Sequence, residues 1–92
     1  MENEMLKSLL KEKLLEFQKL SYEELFQFMD NPKSEKYGEG DDFYQVEMES
    51  LWDDAKGETK NLRVMVAIDD GGIKAFSPLT DDFIITPDGK FI

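Results

Sequence analysis

Residues 62–72 read LRVMVAIDDGG, and within them Leu62, Val64, Val66 and Ile68 alternate with Arg63, Met65 and Ala67. Successive side chains of an extended chain point to opposite faces of a sheet, so this period predicts a strand with one apolar and one mixed face. Asp69-Asp70-Gly71-Gly72 reads as a tight hairpin connection, because glycine accepts the positive φ that such turns require. Upstream, Tyr44, Val46, Met48 and Trp52 alternate with Gln45, Glu47 and Glu49, which predicts an antiparallel partner strand with one wet face. Asp53 to Asn61, with Gly57, reads as the turn region between the two. Downstream, Ile73 to Phe76 predicts a short third strand and Phe83 to Thr86 a fourth. Between these, Ser77-Pro78-Leu79-Thr80 reads as a turn or one helical turn, with Ser77 as cap and Pro78 at the first helical position. Thr86-Pro87-Asp88-Gly89 is a turn sequence, and Lys90-Phe91-Ile92 begin a return strand.

Toward the N-terminus the period lengthens. Met5, Leu6, Leu9, Leu10, Leu14 and Phe17 recur at helical spacing, predicting an amphipathic helix over residues 3–19. Ser21 followed by Glu24 fits a capping box and starts a second helix at about 22–29, stopped by Asn31-Pro32. Residues 31–42, NPKSEKYGEGDD, are polar with two glycines and read as a surface loop, leaving 43–92 for the sheet. The expected fold is a single α+β domain: two N-terminal helices packed on one face of a three- to four-stranded antiparallel meander. The other sheet face holds Phe43, Leu51, Met65 and Ala67, apolar enough to need cover from the 31–42 loop or a subunit contact.

Composition then limits the chemistry. The chain has 92 residues, a net charge of −10, and neither Cys nor His. Four Glu balance four Lys in residues 1–20, so the whole acidic excess lies in residues 21–92, as 17 acids against 7 bases. Such a field repels phosphate backbones and anionic lipid and favours basic protein surfaces, so neither nucleic acid nor membrane is an expected partner. Disulfides, zinc–thiolate sites and thiol nucleophiles are excluded by composition. The start MENEMLKSLL lacks the basic, apolar pattern of a secretory signal, and no run is long enough to span a bilayer, so the expected location is cytoplasmic.

Four Asp-Asp pairs stand near the expected strand ends. Meander topology sorts Asp41-Asp42 and Asp69-Asp70 to one end and Asp53-Asp54 and Asp81-Asp82 to the other. Asp53, Asp54, Asp81 and Asp82 are therefore the candidate ligands for a hard divalent cation, although their spacing does not form a calcium loop and Asp is also favoured in ordinary turns. Trp52 beside Asp53 and Asp54 is read first as core, and otherwise as part of a cation-binding site or as an interface anchor. Arg63, the only arginine, is expected to make a cross-strand ion pair among Glu47 and Glu49. Trp52, Glu47, Glu49 and Met65 are the candidate interaction residues. With no nucleophile–base arrangement visible, no catalytic residue is assigned and no cofactor is expected.

The stretches LRVMVAIDDGG and AFSPLTDDFIITPDGKF, within residues 62–91, resemble segments of small uncharacterised bacterial α+β proteins with a strand, an Asp-Gly hairpin and a Pro-Asp-Gly turn. The resemblance extends at most over residues 43–92 and implies no activity. The function expected first is a non-enzymatic interaction domain of the inhibitor, immunity or adaptor kind, engaging a basic protein partner or a second copy through the outer sheet face. Binding of a small ligand or divalent cation ranks second, and a carboxylate-based enzyme third.

Overall fold

The computed structural model describes residues 3–38, 43–70 and 78–92. Helix α1 (Asn3–Phe17) and helix α2 (Tyr22–Phe26) precede strands β1 (Lys33–Tyr37), β2 (Tyr44–Trp52), β3 (Leu62–Asp69) and β4 (Leu79–Ile85). The strands form one antiparallel sheet in the order β1-β2-β3-β4, so among the described residues neighbours in sequence are neighbours in space.

The alternation in β2 and β3 holds, with every β3 position that the period assigned to the core buried, while on β2 Val46 and Met48 are buried and Tyr44 and Trp52, near the strand ends, are half-buried. Val46, Met48 and Ser50 are buried on β2, and Leu62, Val64, Val66 and Ile68 on β3, while Met65 and Ala67 are half-buried on the opposite face. Register carries that division across the sheet. Val46 lies opposite Ile68, Met48 opposite Val66 and Ser50 opposite Val64, while Glu47 lies opposite Ala67 and Glu49 opposite Met65. Leu6 and Leu10 of α1 and Leu25 of α2 belong to the same buried cluster as Val64, Val66 and Phe83.

A five-residue helix has no independent stability, so α2 needs anchors. The expected capping box is present: Ser21 Oγ accepts from the Glu24 amide at 3.2 Å, and the Glu24 carboxylate accepts from the Ser21 amide at 3.1 Å. Leu25 is fully buried, and its carbonyl accepts from the buried Ser50 hydroxyl at 2.7 Å. The helix is shorter than the 22–29 span expected. It gives way at Gln27 to turns that place Met29 in a bridge with Ser50, and Asp30 adopts φ 58° as the chain swings into β1.

Three expectations are corrected. Residues 31–42 are not wholly loop: Lys33–Tyr37 is an edge strand with Glu35 opposite Val46 and Tyr37 opposite Tyr44. Its backbone pairs because β2 offers an open edge, which outweighs the weak strand preference of KSEKY. It therefore extends the sheet in its plane and does not cover the outer face as a loop would. Leu79 and Thr80 are neither a turn nor a helical turn but the first residues of β4, opposite Ile68 and Ala67, so the strand expected at Phe83–Thr86 starts four residues earlier. Asp81 and Asp82 consequently lie inside a strand and not at its end. The pair Asp41-Asp42, the glycines of the Asp69–Gly72 hairpin, the expected strand at Ile73–Phe76 and Ser77 lie outside the described residues. The Thr86–Gly89 turn forms, with the Gly89 amide donating to the Thr86 carbonyl at 2.8 Å, and the chain returns through a bridge between Phe91 and Ile85.

Gly57 is the position where a glycine is indispensable. Its φ is +65°, and a Cβ there would sit 3.0 Å from three atoms of the Trp52 indole. Gly57→Ala is expected to destabilise by about 2–4 kcal/mol, combining left-handed backbone strain with overpacking. Urea unfolding followed by Trp52 fluorescence measures this directly. A change below about 0.5 kcal/mol, the usual range for surface substitutions, would mean that the indole does not rest on this turn.

Candidate functional site

Of the four candidate metal ligands the sheet brings together only Asp53 and Asp82, and it does so on a cation already present, Arg63. Asp54 is taken up by its own turn: its carboxylate accepts from the Glu58 amide at 2.7 Å and from the Thr59 hydroxyl at 2.8 Å. These bonds, the one from Thr59 foremost, hold its pKa below the usual carboxylate range. Asp53 and Asp82 both accept from Arg63, at 2.9 and 2.8 Å, one from each side of β3. Asp81 lies opposite Val66, on the core side of the sheet, where it borders a groove with Lys7 and Lys11 of α1. An inward-pointing charge on an edge strand discourages pairing with another sheet. Among the described residues, no group of three or more acidic side chains is placed to hold a metal ion.

The Asp54 arrangement has a pH signature. A carboxyl whose folded pKa is depressed contributes stability above its unfolded pKa, and that contribution is lost as pH falls through the folded value. The stability deficit of Asp54→Asn should therefore be full at neutral pH and shrink as the medium is acidified below the ordinary carboxylate range. Thermal melts of both proteins across that range check it. A deficit that is constant with pH would mean that Asp54 makes no ionised cap.

Arg63 pairs with other partners than those expected. Diagonal to it stand Glu49 on β2 and Asp53 just past the end of that strand, and the guanidinium takes Asp53, with Asp82 on β4 as its second partner. Hydrogen bonds to Asp82 first and Asp53 second hold its pKa above the ordinary arginine value. The consequence for the outer face is that, among the described residues, Glu47 and Glu49 are left without a cation. Glu47 only accepts a long bond from Gln45 at 3.4 Å, and Gln45 also donates to Ser34 Oγ at 2.9 Å.

Of the candidate interaction residues, the structure brings three together. Glu47, Glu49 and Met65 line one groove of about 280 Å³ on the outer face, with Ala67, Thr80 and Pro32 as further walls. Leu51, 40 % exposed, continues the line of Glu47 and Glu49 along β2. Trp52 is not part of this face. It lies opposite Leu62 on the core side, half-buried between Gly57 and the Phe26 ring at 5.8 Å, with the Lys60 ammonium 5.1 Å from its own ring centre. It is a packing residue of the turn that follows β2. Sequence reading could not separate these roles, because alternation put Trp52 on the core side while its neighbouring carboxylates suggested exposure.

A four-stranded antiparallel sheet with two helices places the chain in the α+β class. The chain matches no family model, no curated protein and no solved structure. Among the described residues no helix is long and apolar enough to cross a membrane.

Proposed function

We propose that the chain is a small non-enzymatic interaction protein of the inhibitor, immunity or adaptor kind, whose outer sheet face engages a basic protein partner. One observation carries this reading: Glu47 and Glu49, neither of them paired with a cation among the described residues, flank an apolar strip of Met65 and Ala67 in a single groove. A mixed surface of this kind suits a partner that brings cations to the carboxylates and an aliphatic side chain to the strip. The net charge of −10 supports it, since the long-range field speeds approach of a basic protein and repels nucleic acid and anionic lipid.

In this reading both helices cover the core side of the sheet, supported by Leu6, Leu10 and Leu25 sharing one cluster with the β3 residues, and the outer side is left for the partner. The bacterial cytoplasm is the proposed setting, following the resemblance of residues 62–91 to bacterial α+β proteins. The test is titration with a synthetic helical peptide carrying lysines four residues apart and flanking leucines. Affinity should fall at least tenfold between low and high salt, as for any contact steered by charge. Binding indifferent to ionic strength would contradict the proposal.

A further inference from the structure

The outer face presents an ordered row. Glu47, Glu49 and Leu51 follow one another at two-residue spacing on one side of β2, each on the face opposite the core. At about 3.4 Å per residue, the two carboxylate-bearing positions are roughly 7 Å apart and the whole row spans about 13–14 Å.

A second row of opposite charge exists on the same chain. Lys7, Lys11 and Leu15 stand four residues apart on one flank of α1, bordering a groove of about 410 Å³ between that helix and β4, whose Asp81 is, among the described residues, the one carboxylate lining it and makes no ion pair with either lysine. Both lysines are exposed and make no ion pair among the described residues, and Leu15 is 52 % exposed. At 1.5 Å per residue each step is about 6 Å and the row spans about 12 Å. The two rows therefore match in order, cation to carboxylate twice and leucine to leucine once. In length they differ by roughly 2 Å, which flexible lysine side chains absorb.

We propose that the outer face, besides a basic protein partner, takes the basic flank of α1 on a second copy of this chain, with Lys7, Lys11 and Leu15 of one copy laid along Glu47, Glu49 and Leu51 of the next. The proposal rests on the outer face being the docking surface and names a further occupant of it. Because the contact joins two different patches, it is heterologous, and a pair of copies leaves one patch of each kind available, the helix row on one copy and the sheet row on the other. Mutual repulsion between copies with a net charge of −10 limits the affinity. Salt near physiological strength screens that long-range repulsion more than it screens the contacting pairs.

The experiment is sedimentation velocity over a concentration series at physiological salt. The unaltered chain should show a weight-average mass that rises with concentration. Lys7→Glu/Lys11→Glu and Glu47→Lys/Glu49→Lys should each abolish the rise, and mixing the two variants should restore it, because each reversed patch then meets a reversed partner. Lys19→Glu/Lys56→Glu, with the same charge change off the row, should leave it intact. Circular dichroism melts establish that each variant is folded, and Lys7→Gln/Lys11→Gln replaces the first variant if it is not. A monomer at every concentration overturns the proposal, as does association that survives both reversals. Titration of the same samples with the lysine–leucine peptide separates the two ideas. A monomeric chain that still binds the peptide through Glu47 and Glu49 loses the self-association and keeps the docking face, and a chain that does neither loses both.

Discussion

Leu25→Ala is expected to lower the unfolding free energy by about 2–5 kcal/mol, the range for removing a fully buried leucine and leaving a cavity. Helix α2 is only five residues long, and its one fully buried side chain is Leu25, whose carbonyl also takes the bond from Ser50, with Tyr22 packed at the edge of the core and Phe26 against Trp52 as lesser contacts. A domain of this length has about 5–14 kcal/mol of stability in total, so the substitution removes a large part of it. The expected fall in melting temperature is on the order of 10–30 °C. A second signature follows from the placement of Met29 beside Ser50: amide exchange should accelerate first in residues 22–31, ahead of β3. A loss under about 1 kcal/mol, far below the cavity range, would show that α2 is not anchored by this side chain.

Glu47→Lys/Glu49→Lys is expected to weaken binding of the basic peptide by roughly 10- to 100-fold while leaving stability nearly unchanged. Exposed ion pairs contribute about 0.2–1 kcal/mol each, and reversal replaces attraction by repulsion, so two sites together reach about 1.4–2.8 kcal/mol. The effect should fade as salt rises, because rim charges act mainly through screened electrostatics. Stability is spared because neither carboxylate holds the fold together: Glu47 has only the long contact with Gln45, and the Arg63 ion pairs run to Asp53 and Asp82. Unchanged affinity in the folded double variant would place the binding surface elsewhere.

The parts of this fold that burial dictates were legible in the sequence. Leu62, Val64, Val66 and Ile68 point one way because a two-residue period admits no other arrangement once one face is buried. The Ser21–Glu24 box marked the start of α2 through local hydrogen bonding that needs no tertiary context. Strand β1 was not legible, since Lys33, Ser34, Glu35 and Lys36 carry no apolar alternation and pair only because β2 leaves its backbone edge open. The start of β4 was hidden for a related reason: two aspartates read as punctuation, yet Asp81 and Asp82 sit within the strand, one on each face. At the candidate site the residue types were visible and their grouping was not. The choice by Arg63 of Asp53 over Glu49 decides which carboxylates remain unpaired, and it depends on side-chain reach across a twisted sheet.

The outer sheet face as a docking surface for cations is tested most directly by amide chemical-shift mapping during titration with the lysine–leucine peptide. Shifts should concentrate at Glu47, Glu49 and Leu51 on β2 and at Met65 and Ala67 on β3, with α2 and Trp52 unmoved. Shifts centred on the helices or on the turn around Trp52, or spread evenly over the acidic residues, would contradict it.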